Sequence, residues 1–375
     1  MRKVNREVIA VKRKLINLVR IVGLLGLFAL AFWVLVMLGN LHQQTCPELY
    51  APGSDDYLWL YMLLCALVLL LMPAITCIGG LLSGYRLHRM RILFIEIARE
   101  DKLRIRLTRR MGYGALLLPP RTDGTSPYKL ALLCAPLVMA ALAAITLALT
   151  AIFWHTGPAR ALMIMPIACV LAIVFTLLPR RNTTDCLSRV LAFRSREKRR
   201  AWECSMHITA ALSDGKRLMD MPEEWFQTYP AEVAEDLYVS NCIINGSSRL
   251  IRQARFAEAY EMLRPLFDLA PAPETHQLVA CVLLNGAICE ALAELPPHCL
   301  SRLELPSVKY MTPASWTPRL RTAQYARALF LNHDEAEAAA LWAQIEKDMA
   351  ADRIDDELIR RMQEKAGLIT KEDNV

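Results

Sequence analysis

Four uninterrupted apolar runs constrain this chain more than any other feature. Ile21–Leu38, Leu58–Leu82, Leu130–Trp154 and Ala161–Leu178 are each long enough to cross a hydrocarbon layer of about 30 Å as a helix. The hydrophobic fraction, 54% of 375 residues, agrees with that use. The expected fold is therefore an α-helical membrane protein with four transmembrane helices. None of the runs reads as a cleaved secretory signal. The first has a basic flank, but it reaches full spanning length and lacks a small-residue cleavage site.

Loop charges predict the orientation. Seven Lys and Arg precede the first run, counting Arg20, and eleven lie between Arg86 and Lys129. Arg180, Arg181, Arg189, Arg194 and Arg196 follow the fourth run. The loop Gly39–Tyr57 has no basic residue and carries Glu48, Asp55 and Asp56, while His155–Arg160 holds a single Arg. A multi-pass protein with both termini cytoplasmic is expected. Residues 1–196 carry 24 basic and 9 acidic groups; residues 197–375 carry 20 and 28. Anionic lipids of the inner leaflet account for the first excess, so membrane lipids are an expected partner. The acidic second half argues against a nucleic acid.

Cysteine usage points to a reducing compartment. The eleven cysteines include no C-x-x-C pair. Only Cys46 is expected outside, which rules out an intramolecular disulfide there, and Cys65, Cys77, Cys134 and Cys169 fall in spans. The other six read as buried small hydrophobes.

Between the second and third runs the period changes from helical to alternating. In LFIEIAREDKLRIRLTRR, Leu103, Ile105 and Leu107 alternate with Lys102, Arg104 and Arg106, and Arg99-Glu100-Asp101 breaks the pattern. A cytoplasmic β-hairpin over about 92–108 is predicted. Two uses are open to it. A basic hairpin can lie on lipid headgroups, or the edge carrying Leu103, Ile105 and Leu107 can accept an extended peptide by strand addition. Pro119-Pro120 and the polar stretch Arg121–Pro127 then break structure before the third span.

The organisation expected is a basic N-terminus over 1–15, a membrane domain over 16–185 and a cytoplasmic α-helical domain over 186–375. Helices are predicted near Glu197–Leu212, Glu232–Gln253, Phe256–Leu269, Glu274–Leu295, Pro318–Leu331, Glu335–Met349 and Asp355–Ala366, with Asp334 as an N-cap. ARFAEAYEMLRPLFDLAP resembles the second helix of a tetratricopeptide repeat, with Ala259, Leu263, Leu266 and a closing Pro271; LNHDEAEAAALWAQIEKDM could form a second unit. No strict 34-residue period exists, so repeat-like helical hairpins and a plain α-bundle both remain open. Either would serve a protein partner, which the residues do not identify.

Several motifs recur in a telling order: GGLLSGYR at Gly79–Arg86, the hairpin, Leu118-Pro119-Pro120, Pro127-Tyr128, and LSDGKRLMDMPEEWF at Leu212–Phe226. Together, over most of residues 57–375, they resemble a bacterial branch of the site-2 protease family, the intramembrane zinc metalloproteases. The resemblance implies location in a bacterial cytoplasmic membrane. It also implies a catalytic H-E-x-x-H on the helix that ends in GGLLSGY, where two His hold zinc and Glu is the general base. Those positions are Met72, Pro73 and Thr76 here. A Gly-Gly pair and a buried Asn of the family correspond to Cys134, Ala135 and Met139. The third zinc ligand, an Asp in an Asp-Gly, corresponds to Asp185, followed by Cys186.

A peptidase of this kind needs zinc to activate its water and a base to take the proton. Proline accepts no proton, and Asp185 alone, as a vestigial ligand, assembles no three-ligand site. No bound zinc or other cofactor is expected. A soft set of Met72, Cys77, Asp185 and Cys186 is conceivable, but Cys77 lies ~100° around the helix from Thr76, and packing is the simpler role. Asp185 beside Arg180 and Arg181 is most simply a solvated or salt-bridged cap at the membrane edge. The seven His are scattered, and no G-x-S-x-G or phosphate-binding loop occurs. His88 and Arg89 read as headgroup contacts.

The expectation is a non-catalytic homologue, a pseudoprotease that binds a membrane or peptide partner without cleaving it. The alternative is an active zinc protease with relocated or partner-supplied ligands. A solute transporter fits poorly, because the spans hold no Asp or Glu.

Overall fold

The computed structural model describes residues 2–50, 58–99, 103–156, 158–177, 186–268, 276–303, 317–350 and 356–368. Among the described residues the chain is mostly helical with one two-stranded antiparallel sheet. It divides into two compact units, one of Met1–Arg121 and Thr125–Ser195, the other of Thr122–Gly124 and Arg196–Val375.

The first unit holds helices α1 (Arg2–Thr45), α2 (Leu58–Leu82), α3 (Lys129–Ile152), α4 (Pro158–Leu177) and the short α5 (Cys186–Ala192). Helices α2, α3 and α4 pack on one another, and α1 lies against α4. Each of the packed three carries an internal proline, at Pro73, Pro136 and Pro166. A proline removes one helical hydrogen bond, which an apolar helix tolerates when neighbours enclose it. Threonine hydroxyls are spent within their own helices: Thr76 on the Met72 carbonyl at 2.9 Å, Thr150 on Thr146 at 2.8 Å and Thr176 on Ala172 at 2.8 Å.

Among the described residues, α3 is the one helix long and apolar enough by itself to cross a membrane. Shorter apolar stretches lie at Ala66–Leu82 and Leu162–Val174. Large apolar side chains stand half or more exposed along three helices, including Leu30, Phe32 and Trp33 of α1, Leu82 of α2, and Leu137 and Ile152 of α3.

Strands β1 (Arg86–Arg99) and β2 (Leu103–Leu118) form the hairpin. The expected bounds, 92–108, cover only its outer part. Residues 100–102, where the polar break was expected, lie outside the described residues. The inner part escapes an alternation search because the ladder is irregular. Register shifts occur between Leu87 and Arg89 and between Leu93 and Ile95, Leu93 takes φ 56°, and Gly112 lies under the Arg91 side chain.

The second unit runs through α6 (Arg196–Ser213), α7 (Leu237–Arg252), α8 (Phe256–Leu263), α9 (His276–Ala293), α10 (Thr317–Arg327), α11 (Glu335–Ala350) and α12 (Asp356–Lys365). Successive helices from α6 to α11 pack as neighbours, and α9 contacts α7, α8, α10 and α12. Its central place explains its composition: Val279, Ala280, Leu283, Leu284 and Ile288 bury one side, and Leu278, Val282 and Cys289 bury the other. Two expected bounds are corrected. The helix expected from Glu232 starts at Leu237, because Ala231–Val233 is a 3-10 turn after Pro230 and the Asp236 carboxylate accepts the Tyr238 N–H at 3.1 Å. The helix expected to reach Leu269 ends at Leu263, where Pro265 lies in a 3-10 turn. Asp334 caps α11 as expected, accepting the Glu337 N–H at 2.9 Å.

Candidate functional site

Three of the positions that the protease resemblance would assign to the active site, Met72, Ala135 and Met139, come together in the first unit. Val68 and Met72 of α2, Ala135 and Met139 of α3, and Ala168, Cys169 and Ala172 of α4 form one buried cluster. Met139 is 1% exposed and Met72 6%. Small residues on α4 let the three helices approach closely, and the methionines fill the remaining space. Pro73 is buried and Thr76 partly buried. Cys77 is buried outside this cluster. Asp185 lies outside the described residues.

This donor set does not fit zinc. Zinc takes imidazole, thiolate or carboxylate. Here α2 presents a thioether packed among alkyl groups, a proline, and a hydroxyl already donating to a main-chain carbonyl. None of the three accepts a proton from water at neutral pH. Among the described residues, no three His, Cys, Asp or Glu side chains gather in a way that could hold a metal ion.

The motifs that carry the resemblance have structural work of their own. In GGLLSGY, Gly84 takes φ 82°, its N–H reaches the Leu81 carbonyl at 3.0 Å, and the Tyr85 N–H reaches the Gly80 carbonyl at 2.9 Å. This paired pattern is a Schellman stop, which ends α2 and turns the chain into β1. Gly79 packs on Cys134 and Gly80 on Leu117, with no room for a Cβ at either. The second motif repeats the device. Gly215 takes φ 78°, its N–H reaches Leu212 at 3.1 Å, and the Lys216 N–H reaches Ala211 at 3.0 Å. Leu218, Met221 and Phe226 then fold back onto Ile208 and Ala211. The Arg249 guanidinium lies 5.1 Å over the Phe226 ring.

The hairpin has two unlike faces. Directly opposed residues share a face, so the pairs Ile97–Ile105 and Ile95–Leu107 make one side apolar, while Glu96–Arg106 and Ala98–Arg104 lie on the other. Leu103, Ile105 and Leu107 are 62%, 70% and 85% exposed. Glu96 is buried on the polar side, receiving the Arg91 guanidinium, with Arg89 at 3.7 Å.

Three arrangements escaped the sequence reading. His42 bonds the Trp154 carbonyl at 2.7 Å, Cys46 Sγ lies 3.3 Å from His155 Nδ1, and Trp154 Nε1 donates to Thr45 at 2.9 Å, clasping α1 to the turn after α3. Glu203, fully buried on α6, accepts the Gly124 N–H at 2.7 Å. Glu290, buried on α9, accepts the N–H groups of Cys299 at 2.7 Å and Leu300 at 2.8 Å. A lone carboxylate inside an apolar helical stripe was the available signal for both glutamates.

No protein-family model, curated protein or solved structure matches this chain.

Proposed function

We propose that this chain is a non-catalytic homologue of the intramembrane site-2 metalloproteases, a pseudoprotease that binds a membrane or peptide partner without cleaving it. In this reading α1–α4 all span a bacterial cytoplasmic membrane, with both ends of the chain cytoplasmic. The exposed leucines, phenylalanine and tryptophan of α1 and the exposed apolar residues of α2 and α3 then face lipid. The repeat-like helices of the second unit serve a protein partner. The exposed Leu103, Ile105 and Leu107 offer an extended peptide an apolar strand to lie along.

One observation carries the absence of catalysis. Met72 is buried in one cluster with Ala135, Met139 and Ala168, and neither it nor Pro73 or Thr76 can take a proton from water. The test is metal content and cleavage together. Detergent-purified chain is expected to hold well under one zinc per molecule and to leave a single-span model substrate intact. Stoichiometric zinc that Asp185→Ala releases, with cleavage that a chelator stops, would establish an active protease instead.

A further inference from the structure

Helices α7, α8, α9, α10 and α12 line a half-open cavity of about 270 Å³ in the second unit. Its floor is apolar, from Ile251, Leu284 and Ile288. Its rim is basic, with Arg252 at the end of α7, Arg319 in the first turn of α10, and Arg361 on α12. Glu357 is the one acidic group among the described lining residues, and it is already committed. Arg360 and Arg361 donate to its carboxylate at 2.8 Å, and these hydrogen bonds hold its pKa down to about 2. Arg361 is thereby neutralised. Arg252 and Arg319 have no ion-pair or hydrogen-bond partner among the described residues.

Two guanidinium groups that lack an acidic partner among the described residues, beside an aliphatic floor, define a narrow ligand chemistry. Guanidinium forks bind carboxylates through paired N–H donors. The floor rewards an alkyl group next to that carboxylate. Asn285, 7% exposed at the wall, gives its amide hydrogens to Ser247 and Ser248 at 3.1 and 2.9 Å, and its carbonyl oxygen can accept from a donor such as a peptide N–H. The volume falls just below the roughly 300–1,000 Å³ of small-molecule sites, so it suits one anchoring residue. Residues 197–375 hold 28 acidic against 20 basic groups, which disfavours a polyphosphate chain while leaving this rim locally positive.

We propose that this cavity binds a peptide carboxylate carried beside an aliphatic side chain, as the anchor by which the helical unit holds a protein partner. The proposal rests on the reading of the chain as a partner-binding protein and names the chemistry of the contact. The carboxylate can come from a C-terminus or from an acidic side chain.

Fluorescence anisotropy on the full-length chain in detergent separates these cases. Three labelled peptides of one length are compared: neutral with a free C-terminal leucine, neutral and amidated, and amidated with an internal Leu-Glu pair. One carboxylate-bearing peptide is expected to bind about tenfold or more tightly than the neutral amide, and the one that does identifies the source. Arg252→Gln and Arg319→Gln should each weaken it about tenfold, with unchanged helix content by circular dichroism. Glu357→Gln frees Arg361 and should tighten binding, a gain that misfolding cannot imitate. Equal binding of all three peptides, no binding of either carboxylate, or binding that survives the Arg252→Gln/Arg319→Gln pair overturns the proposal. So does displacement by inorganic phosphate at equal concentration. A cross-linker at Ile105 that still captures a membrane client after such a failure leaves the partner-binding reading intact.

Discussion

Gly79 of α2 meets Cys134 of α3 with no space for a side chain between them: a Cβ on the glycine would overlap the cysteine Cβ and come within 2.8 Å of its sulfur. This contact sets how closely the two helices approach, beside the cluster that buries Met72 and Met139. It gives GGLLSGY a packing purpose independent of any metal.

Gly79→Ala is therefore expected to lower stability by about 1–3 kcal/mol through overpacking. Cys134→Gly in the same chain should restore part of the loss. Gly23→Ala, where nothing lies within 4 Å, should cost nothing. Thermal melts in detergent compare the three; equal melting of the Gly79 and Gly23 variants would remove the packing argument.

Glu203 pins the Gly124 main chain, and Gly124 holds φ 81° with the Arg196 carbonyl 2.7 Å from where a Cβ would sit. Glu203→Ala leaves a buried N–H without its acceptor and should cost about 1–3 kcal/mol. Gly124→Ala combines left-handed strain with a backbone clash and should cost at least about 1 kcal/mol. Urea titrations followed by circular dichroism measure both.

Glu290 ties α9 to the turn at Leu300–Arg302 through three short hydrogen bonds to the Cys299 and Leu300 amides. Glu290→Ala should speed limited proteolysis near residues 294–303 and lower stability by about 2–3 kcal/mol. An unchanged cleavage pattern would mean that this turn is held by other contacts.

The thiols of the second unit make its stability sensitive to alkali. Burial pushes Cys204 from its ordinary 9.0 up to about 11, with Arg200 opposing, and pushes Cys281 up to about 12. Cys242, Cys289 and Cys299 move the same way, each chiefly through burial. A raised thiol pKa means that the unfolded chain loses its proton first. The stabilisation is whole below about pH 9 and is lost as pH rises toward 11 and 12, by up to about 1.4 kcal/mol per pH unit for each thiol. Melting temperature should fall across that window, and maleimide at pH 7 should label the buried Cys204, Cys242, Cys289 and Cys299 only after denaturation.

Ile105 stands 70% exposed opposite Ile97, so Ile105→Asp should leave the melting transition within about 0.5 kcal/mol of the parent. Photo-cross-linking of a client from the neighbouring strand should nevertheless drop severalfold. Loss of stability without loss of cross-linking would make the apolar face structural.

Much of the local structure was legible in the sequence because it depends on near neighbours. The apolar run Leu58–Leu82 coincides with α2, and Leu130–Trp154 lies within two residues of α3 at each end. Alternation at 103–107 reads out the outer hairpin, and Asp334 announces the start of α11. Periodicity failed where the backbone departs from regular geometry, at the register shifts around Leu87 and Leu93 and after Pro265. Absence of His and Glu at Met72, Pro73 and Thr76 was likewise plain from the residues themselves.

By itself, then, the sequence determined most of the helical segments, and that Met72, Pro73 and Thr76 carry no imidazole or carboxylate. Only the tertiary structure decided that Met72 and Met139 close on each other, that Glu203 and Glu290 each hold a distant main chain, and that Arg252 and Arg319 share a cavity rim. The reason is physical. Helix and strand formation follow from interactions a few residues apart, whereas burial and charge pairing depend on which surfaces meet once the chain has packed.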